Sequence, residues 1–261
     1  VKPAKGFSFT VRPSAAIRAK FQRRLDAELD DMHASLVFWL VACYRANTPE
    51  IAQDASPARE LMDEMRGLRT RWMRRFNALA PKMARYFATA TAKRTDKAMA
   101  DMLRKGGISV RFDPTRVQND VVQAAIAENV SLIKSIASEH LTQVEGMVMR
   151  SVTAGRDLAS LHTELRERLG VTKRRASLIA RQQNNAATAA LVKVRQIELD
   201  LEAEWLHSAG GKTPRPSHVR QSGKLYDPRT GWFDPDAKVW TWPGVLINCR
   251  CVSKTVVPGF D

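Results

Sequence analysis

Cysteine is scarce in this chain, with three among 261 residues. So few exclude a disulfide scaffold and suit a protein made in a reducing compartment. Cys43 stands in the apolar run VFWLVACY and reads as a small buried hydrophobe. That run is far too short for a bilayer span. The opening residues VKPAKGFSFTVRP lack the apolar core of a signal peptide, so a soluble protein with no membrane partner is expected. The chain begins at Val1 rather than Met, which leaves room for a preceding segment. Aromatics are sparse at 7%, and Trp205, Trp232, Trp240 and Trp242 all lie after residue 200, so the chemistry changes along the chain. Acids are the other shortage. Against 42 Lys and Arg stand 27 Asp and Glu, a formal net charge of +15. Such an excess favours a polyanionic partner. It is concentrated in residues 66–105, where twelve basic residues meet only Asp96 and Asp101.

What is present is mostly helical periodicity. Ile17, Phe21, Leu25, Leu29, Met32, Leu36 and Trp39 recur at steps of three and four, which predicts a helix from Pro13–Ser14 to the ANTPE segment at 46–50. A second stretch from about Pro57 to Arg104 is expected to break near Pro81 and to stop at KGG, 105–107. ISVRF, 108–112, alternates with period two and predicts a short strand. Another long helix is predicted over 116–153, with Val117, Val121, Val130, Ile133, Ala137, Leu141, Val144 and Val148 near one face, broken by AGRD. A short helix then ends at Gly170, and a long one follows to Trp205 with Thr172 as its N-cap. Beyond it, KLYD and KVWTW read as strands between turns. The expected fold class is α+β, predominantly α-helical: long helices, then a small C-terminal domain of short strands and turns. The expected division is a basic helical body, 1–169, and a domain over 170–261.

The tail carries the distinctive chemistry. INCRC, 247–251, places Cys249 and Cys251 one residue apart, which suits a metal site, a redox site or a structural knot. A disulfide between them would be strained. Upstream lies RPSH, 215–218. His218 with Arg215, Ser217 and Lys224 resembles the equipment of a metal-free ribonuclease, and His207 could complete an acid–base pair. SAGGK lacks the spacing of a phosphate-binding loop. Asp227, Asp234 and Asp236 read as turn formers beside Pro228 and Pro235.

RPSH followed by Gly223–Lys224, then Pro243 and Asn248-Cys249-Arg250-Cys251, resembles the signature of the phage Mu F-type minor head proteins, a head morphogenesis family. The preceding helix RRASLIARQQNNAATAALVKVRQ is similar to that family's, and the resemblance covers roughly residues 170–255. It marks Arg215, Pro216, Ser217, His218, Gly223, Cys249, Arg250 and Cys251 as a structural motif. A related branch of the family has C-x-x-C at the RPSH position, which with the C-R-C pair would make a four-thiol zinc set. Here Arg215 and His218 stand instead, leaving His218, Cys249 and Cys251 as weak candidates for a metal. The expectation is therefore no cofactor and little zinc, with the thiols packing the last strand against the RPSH turn. The resemblance also implies a virion protein made in the host cytoplasm, inside the head near the portal, with portal or major capsid protein as partner and few copies per particle.

The basic segment interleaves charge with Trp72, Phe76, Tyr86 and Phe87. Arg69, Arg71, Arg74, Arg75, Lys82, Arg85, Lys93 and Arg94 are the residues expected to meet phosphates of double-stranded DNA. No sequence-reading motif accompanies them, so such binding would be non-specific. Binding rather than catalysis is expected. Two alternatives remain: a nuclease or toxin-type enzyme using His218, and a scaffold whose charge matches an acidic portal surface.

Overall fold

The computed structural model describes residues 7–46, 57–153, 158–209 and 213–259. Strand β1 (Ser8–Thr10) precedes four long helices, α1 (Ala15–Ala46), α2 (Pro57–Lys105), α3 (Arg116–Thr153) and α4 (Leu158–Glu198). Then come β2 (Glu202–Leu206), the single turn α5 (Pro216–Gln221), β3 (Leu225–Tyr226), β4 (Trp232–Asp234), β5 (Val239–Thr241) and β6 (Val252–Val256). The fold is α+β and mostly helical. No helix among the described residues is long and apolar enough to cross a membrane.

By their internal contacts the residues form two compact units, 1–18 with 85–126 and 180–261, and 19–84 with 127–179. The second unit is helical. Its α1 stripe is Phe21, Leu25, Leu29, Met32, Leu36, Leu40 and Tyr44, all buried. Trp39, expected on that stripe, is 42% exposed, because the 3.6-residue period passes to Leu40 instead. Cys43 is half-buried rather than buried. From α2, Trp72 and Phe76 enter the core, and the Trp72 indole donates to Ser35 Oγ at 3.2 Å.

Helix α2 runs through Pro81 without the expected break. Proline forfeits one backbone donor, but Pro81 and Asn77 are both exposed, so the carbonyl left over can be hydrated. The helix does stop at KGG. Ile108 N–H closes onto Leu103 O at 2.9 Å across Gly107, whose φ of +84° favours glycine. The predicted ISVRF strand is absent among the described residues. Its alternation is real, since Ile108, Val110 and Phe112 pack on the core formed by Phe9, Val11, Met99, Leu103, Val192, Leu201 and Val257, but no strand pairs with it.

Helix α4 is likewise continuous through Gly170. Thr172 is not a cap: its hydroxyl bonds back to Arg168 O at 3.0 Å and meets His140 Nδ1 at 2.8 Å. Nor does the helix reach Trp205. It ends by Asp200, at φ 51°, and EAEWL becomes β2, burying Ala203 and Trp205 on one side. Pairing with β6, Trp205 opposite Ser253 and Ala203 opposite Thr255, overrides the helical preference of these residues.

The sheet is antiparallel in the order β1-β6-β2-β3, with β4-β5 a separate hairpin. β6 is central, so the motif preceding it is anchored on both sides. Beneath it, Gln196 of α4 donates to Ser253 and Thr255 hydroxyls at 2.8 and 2.9 Å. Arg195, 1% exposed, binds Asp96 of α2 through two nitrogens at 2.9 and 3.0 Å and Glu198 at 2.6 Å.

Candidate functional site

The two cysteines are aimed by the loop before them. Gly244, at φ +86°, has so little room that an added Cβ would sit 3.2 Å from Cys251 O. Asn248 takes the left-handed conformation, φ 63°, which asparagine tolerates better than most residues. Helix α4 reads this loop directly. Gln182 donates to Val245 O and Leu246 O and accepts from Asn248 N–H at 2.9 Å. Arg181 donates to Asn248 Oδ1 at 3.2 Å, and Asn185 to Cys249 O at 3.1 Å. Spaced two apart on the chain entering β6, Cys249 and Cys251 turn their sulfurs to the same side.

Opposite them stands His218 of α5, 2% exposed. Its Nδ1 lies 3.4 Å from Cys249 Sγ and 3.6 Å from Cys251 Sγ. Its Nε2 lies 3.0 Å from Oδ2 of Asp234, a fully buried carboxylate on β4. Trp205 and Trp232 pack edge-on against the imidazole, with centroids 4.9 and 5.9 Å away. Gly223 fixes the turn behind, its N–H donating to Trp205 O at 2.8 Å. Arg215 precedes α5, and Pro216 occupies its first position, where no backbone donor is needed. The Arg215 guanidinium donates to Ile247 O at 3.0 Å, holding the RPSH turn to the INCRC loop. Ser217 N–H donates to Asp236 Oδ2 at 3.1 Å. A cavity of about 290 Å³ opens beside the cluster, lined by His207, Arg215, His218, Cys249, Arg250 and Cys251 among others.

The electrostatics follow from this crowding. The Cys251 thiol, the His218 ring and the Gly244 N–H, 3.4 Å from the sulfur, all stabilise a thiolate at Cys249 and lower its pKa. Cys251 is pushed up in turn, by that same neighbour and by burial. Burial opposes a charged His218, but Cys249 and Asp234 outweigh it and hold its pKa above the usual value. Asp234, which burial alone would raise, is held below the ordinary carboxylate range by donors that include the Asp236 N–H and the His218 ring.

Sequence reasoning read Asp234 as a turn former and left His207 in an acid–base pair. His207, just past β2, places Nδ1 3.7 Å from Cys251 Sγ. Nothing in local sequence marks Asp234 as the partner of His218, sixteen residues away.

The basic face divides. Arg75 is held by Glu28 and Asp31 of α1 at 2.7 and 2.9 Å and stacks on Trp72. Arg69 is held by Thr142 and Glu145 of α3. Arg71 lies over the Trp39 ring at 5.6 Å. Arg71, Arg74, Lys82, Arg85, Lys93 and Arg94 are exposed. Of the interleaved aromatics, Trp72, Phe76 and Phe87 are buried and only Tyr86 is largely exposed.

Residues 142–254 match the model of the family described as phage Mu protein F like protein. That region is similar to this Mu F like family. The match begins inside α3, earlier than the motifs alone indicate, and takes in α4 with its loop-reading residues. An uncharacterized protein of Haemophilus influenzae is 31% identical over 136 residues, 52% of this chain and 29% of that protein. The chain therefore spans under a third of the length of this curated relative. No solved structure matches.

Proposed function

We propose that this chain is a minor head protein of a tailed phage, acting in head morphogenesis by binding rather than catalysis. The observation that carries this reading is the Mu F like match over 142–254, which contains the whole RPSH–NCRC cluster. The C-terminal elements dock on portal or major capsid protein inside the head, near the portal. The exposed cations of α2 face packaged double-stranded DNA and hold it without reading sequence.

The geometry of His218 favours a structural role over a nuclease. Both ring nitrogens already face protein groups, Asp234 on one side and the thiols on the other, and the ring is packed between tryptophans. A general base needs a nitrogen within reach of substrate. The experiment is genetic. Disrupting the gene in a producing phage or prophage should lower the yield of DNA-filled heads, and His218→Gln in an otherwise intact chain should not abolish DNA stability in the lysate. Filled heads at full yield without the gene contradict the proposal. Nuclease activity of the pure protein that vanishes in His218→Gln favours the enzyme reading instead.

A further inference from the structure

We propose that His207, His218, Cys249 and Cys251 hold one zinc ion in a closed, structural site. Two imidazole nitrogens and two thiolates are a familiar tetrahedral zinc set. The donor atoms of His218, Cys249 and Cys251 already lie within 4.8 Å of one another. The fourth donor, His207 Nδ1, approaches Cys251 Sγ at 3.7 Å. The scarcity of a fourth ligand argued against zinc in the sequence, where Arg215 took the position. In the structure Arg215 donates to Ile247 O, and His207 stands beside Cys251.

The spacing is that of ligands around a metal. With Zn–S near 2.3 Å and Zn–N near 2.0–2.1 Å, tetrahedral geometry puts sulfur and nitrogen about 3.6 Å apart. Three of the four sulfur–nitrogen separations in this set are 3.4, 3.6 and 3.7 Å; His207 meets Cys251 and lies outside the tighter group of the other three donors. Both sulfurs approach the same nitrogen of His218. One ring N–H cannot point well at both, whereas one ion satisfies both sulfurs and the nitrogen together.

The surroundings fit as well. Metal-bound histidines usually donate their other N–H to a carboxylate, which fixes the tautomer. His218 does this to Asp234 at 3.0 Å, which leaves the Nδ1 lone pair facing the thiols. The Gly244 N–H points at Cys249 Sγ, the contact a bound thiolate accepts. Two thiolates would neutralise the ion, so the nearby Arg215 and Arg250 are not repelled by the loaded site. With every position taken by protein, the ion would have no open face for catalysis. It would tie the end of β2, α5 and the start of β6 together where the strands are short and the core is small.

The test uses the full chain. The protein is purified without added metal, its metal content measured, and the EDTA-treated form titrated with zinc alone and with cobalt alone. The account expects one metal per chain. It also expects cobalt to give the intense visible bands of a tetrahedral site and a near-ultraviolet thiolate charge-transfer band. Asp234→Asn should weaken binding about 10- to 100-fold, and His207→Ala at least as much. Cys249→Ser with Cys251→Ser should remove the charge-transfer band. Should the double cysteine variant fail to fold, His207→Ala decides, because His207 lies at the half-buried rim. A folded wild-type chain that takes up no stoichiometric zinc or cobalt overturns the proposal. Metal bound by His207→Ala with unchanged affinity and spectrum overturns the four-ligand assignment.

Discussion

His218 and Asp234 meet at 3.0 Å, ring nitrogen to carboxylate, with Asp234 wholly buried and His218 nearly so. A buried N–H stripped of its acceptor costs roughly 1–3 kcal/mol. Asp234→Ala should lose about that much stability in urea unfolding. Asp234→Asn keeps an oxygen in place and should lose less. Equal losses would show that the cost is one of volume and not of the hydrogen bond.

Among the described residues Arg195 is the most deeply buried cation, and it is shared by Asp96, Glu198 and the carbonyl of Asp113. Removing one partner of a buried pair leaves an uncompensated charge and costs about 3–5 kcal/mol. Arg195→Met should fall in that range. Arg195→Met with Asp96→Asn should recover part of the loss, because the stranded carboxylate is gone. No recovery in the double variant contradicts the ion-pair account.

Acidification tests His140. Its ring is buried, with His33 6.3 Å away centroid to centroid, and burial, then His33 and Arg168, lowers its pKa to about 4. The unfolded chain holds the ordinary value near 6.5, so between the two it binds the extra proton and the folded form does not. Stability contributed by the neutral ring is complete above about pH 6.5 and is lost as pH falls toward 4. The wild type should lose about 2 kcal/mol from this group between pH 7.5 and 5. His140→Gln should show a flatter stability curve across that window. Parallel curves would place the titration elsewhere.

DNA binding can be read from its salt dependence. If about five exposed cations contact phosphate, log K should fall with log salt at a slope near −4.5. Arg85→Gln with Lys93→Gln and Arg94→Gln should flatten the slope by up to about 2.7. Arg75→Gln should leave it unchanged, because Glu28 and Asp31 already hold that guanidinium. An unaltered slope in the folded triple variant moves the charge to an acidic protein partner.

The long helices were legible because apolar residues recurring at steps of three and four mark one face, even though the last of them in α1, Trp39, falls off it. Helix ends were less so. Pro81 and Gly170 look like breaks, yet each costs a few kcal/mol at most, and long flanking helices absorb that. EAEWL reads as helix on propensity, and only its pairing with β6, nearly fifty residues away, makes it a strand. The site was half visible. C-x-C and RPSH advertise themselves by composition. Gln182, Asn185, Asp234 and His207 are common residues whose roles come from where α4, β4 and β2 place them.

The central claim is that this chain works inside a phage head. Purified, nuclease-treated particles from a strain carrying the gene can be analysed by quantitative mass spectrometry before and after the heads are opened. The account predicts the chain in intact particles at few copies, protected from protease until the heads are opened. Complete, DNA-filled particles that lack the chain would contradict it.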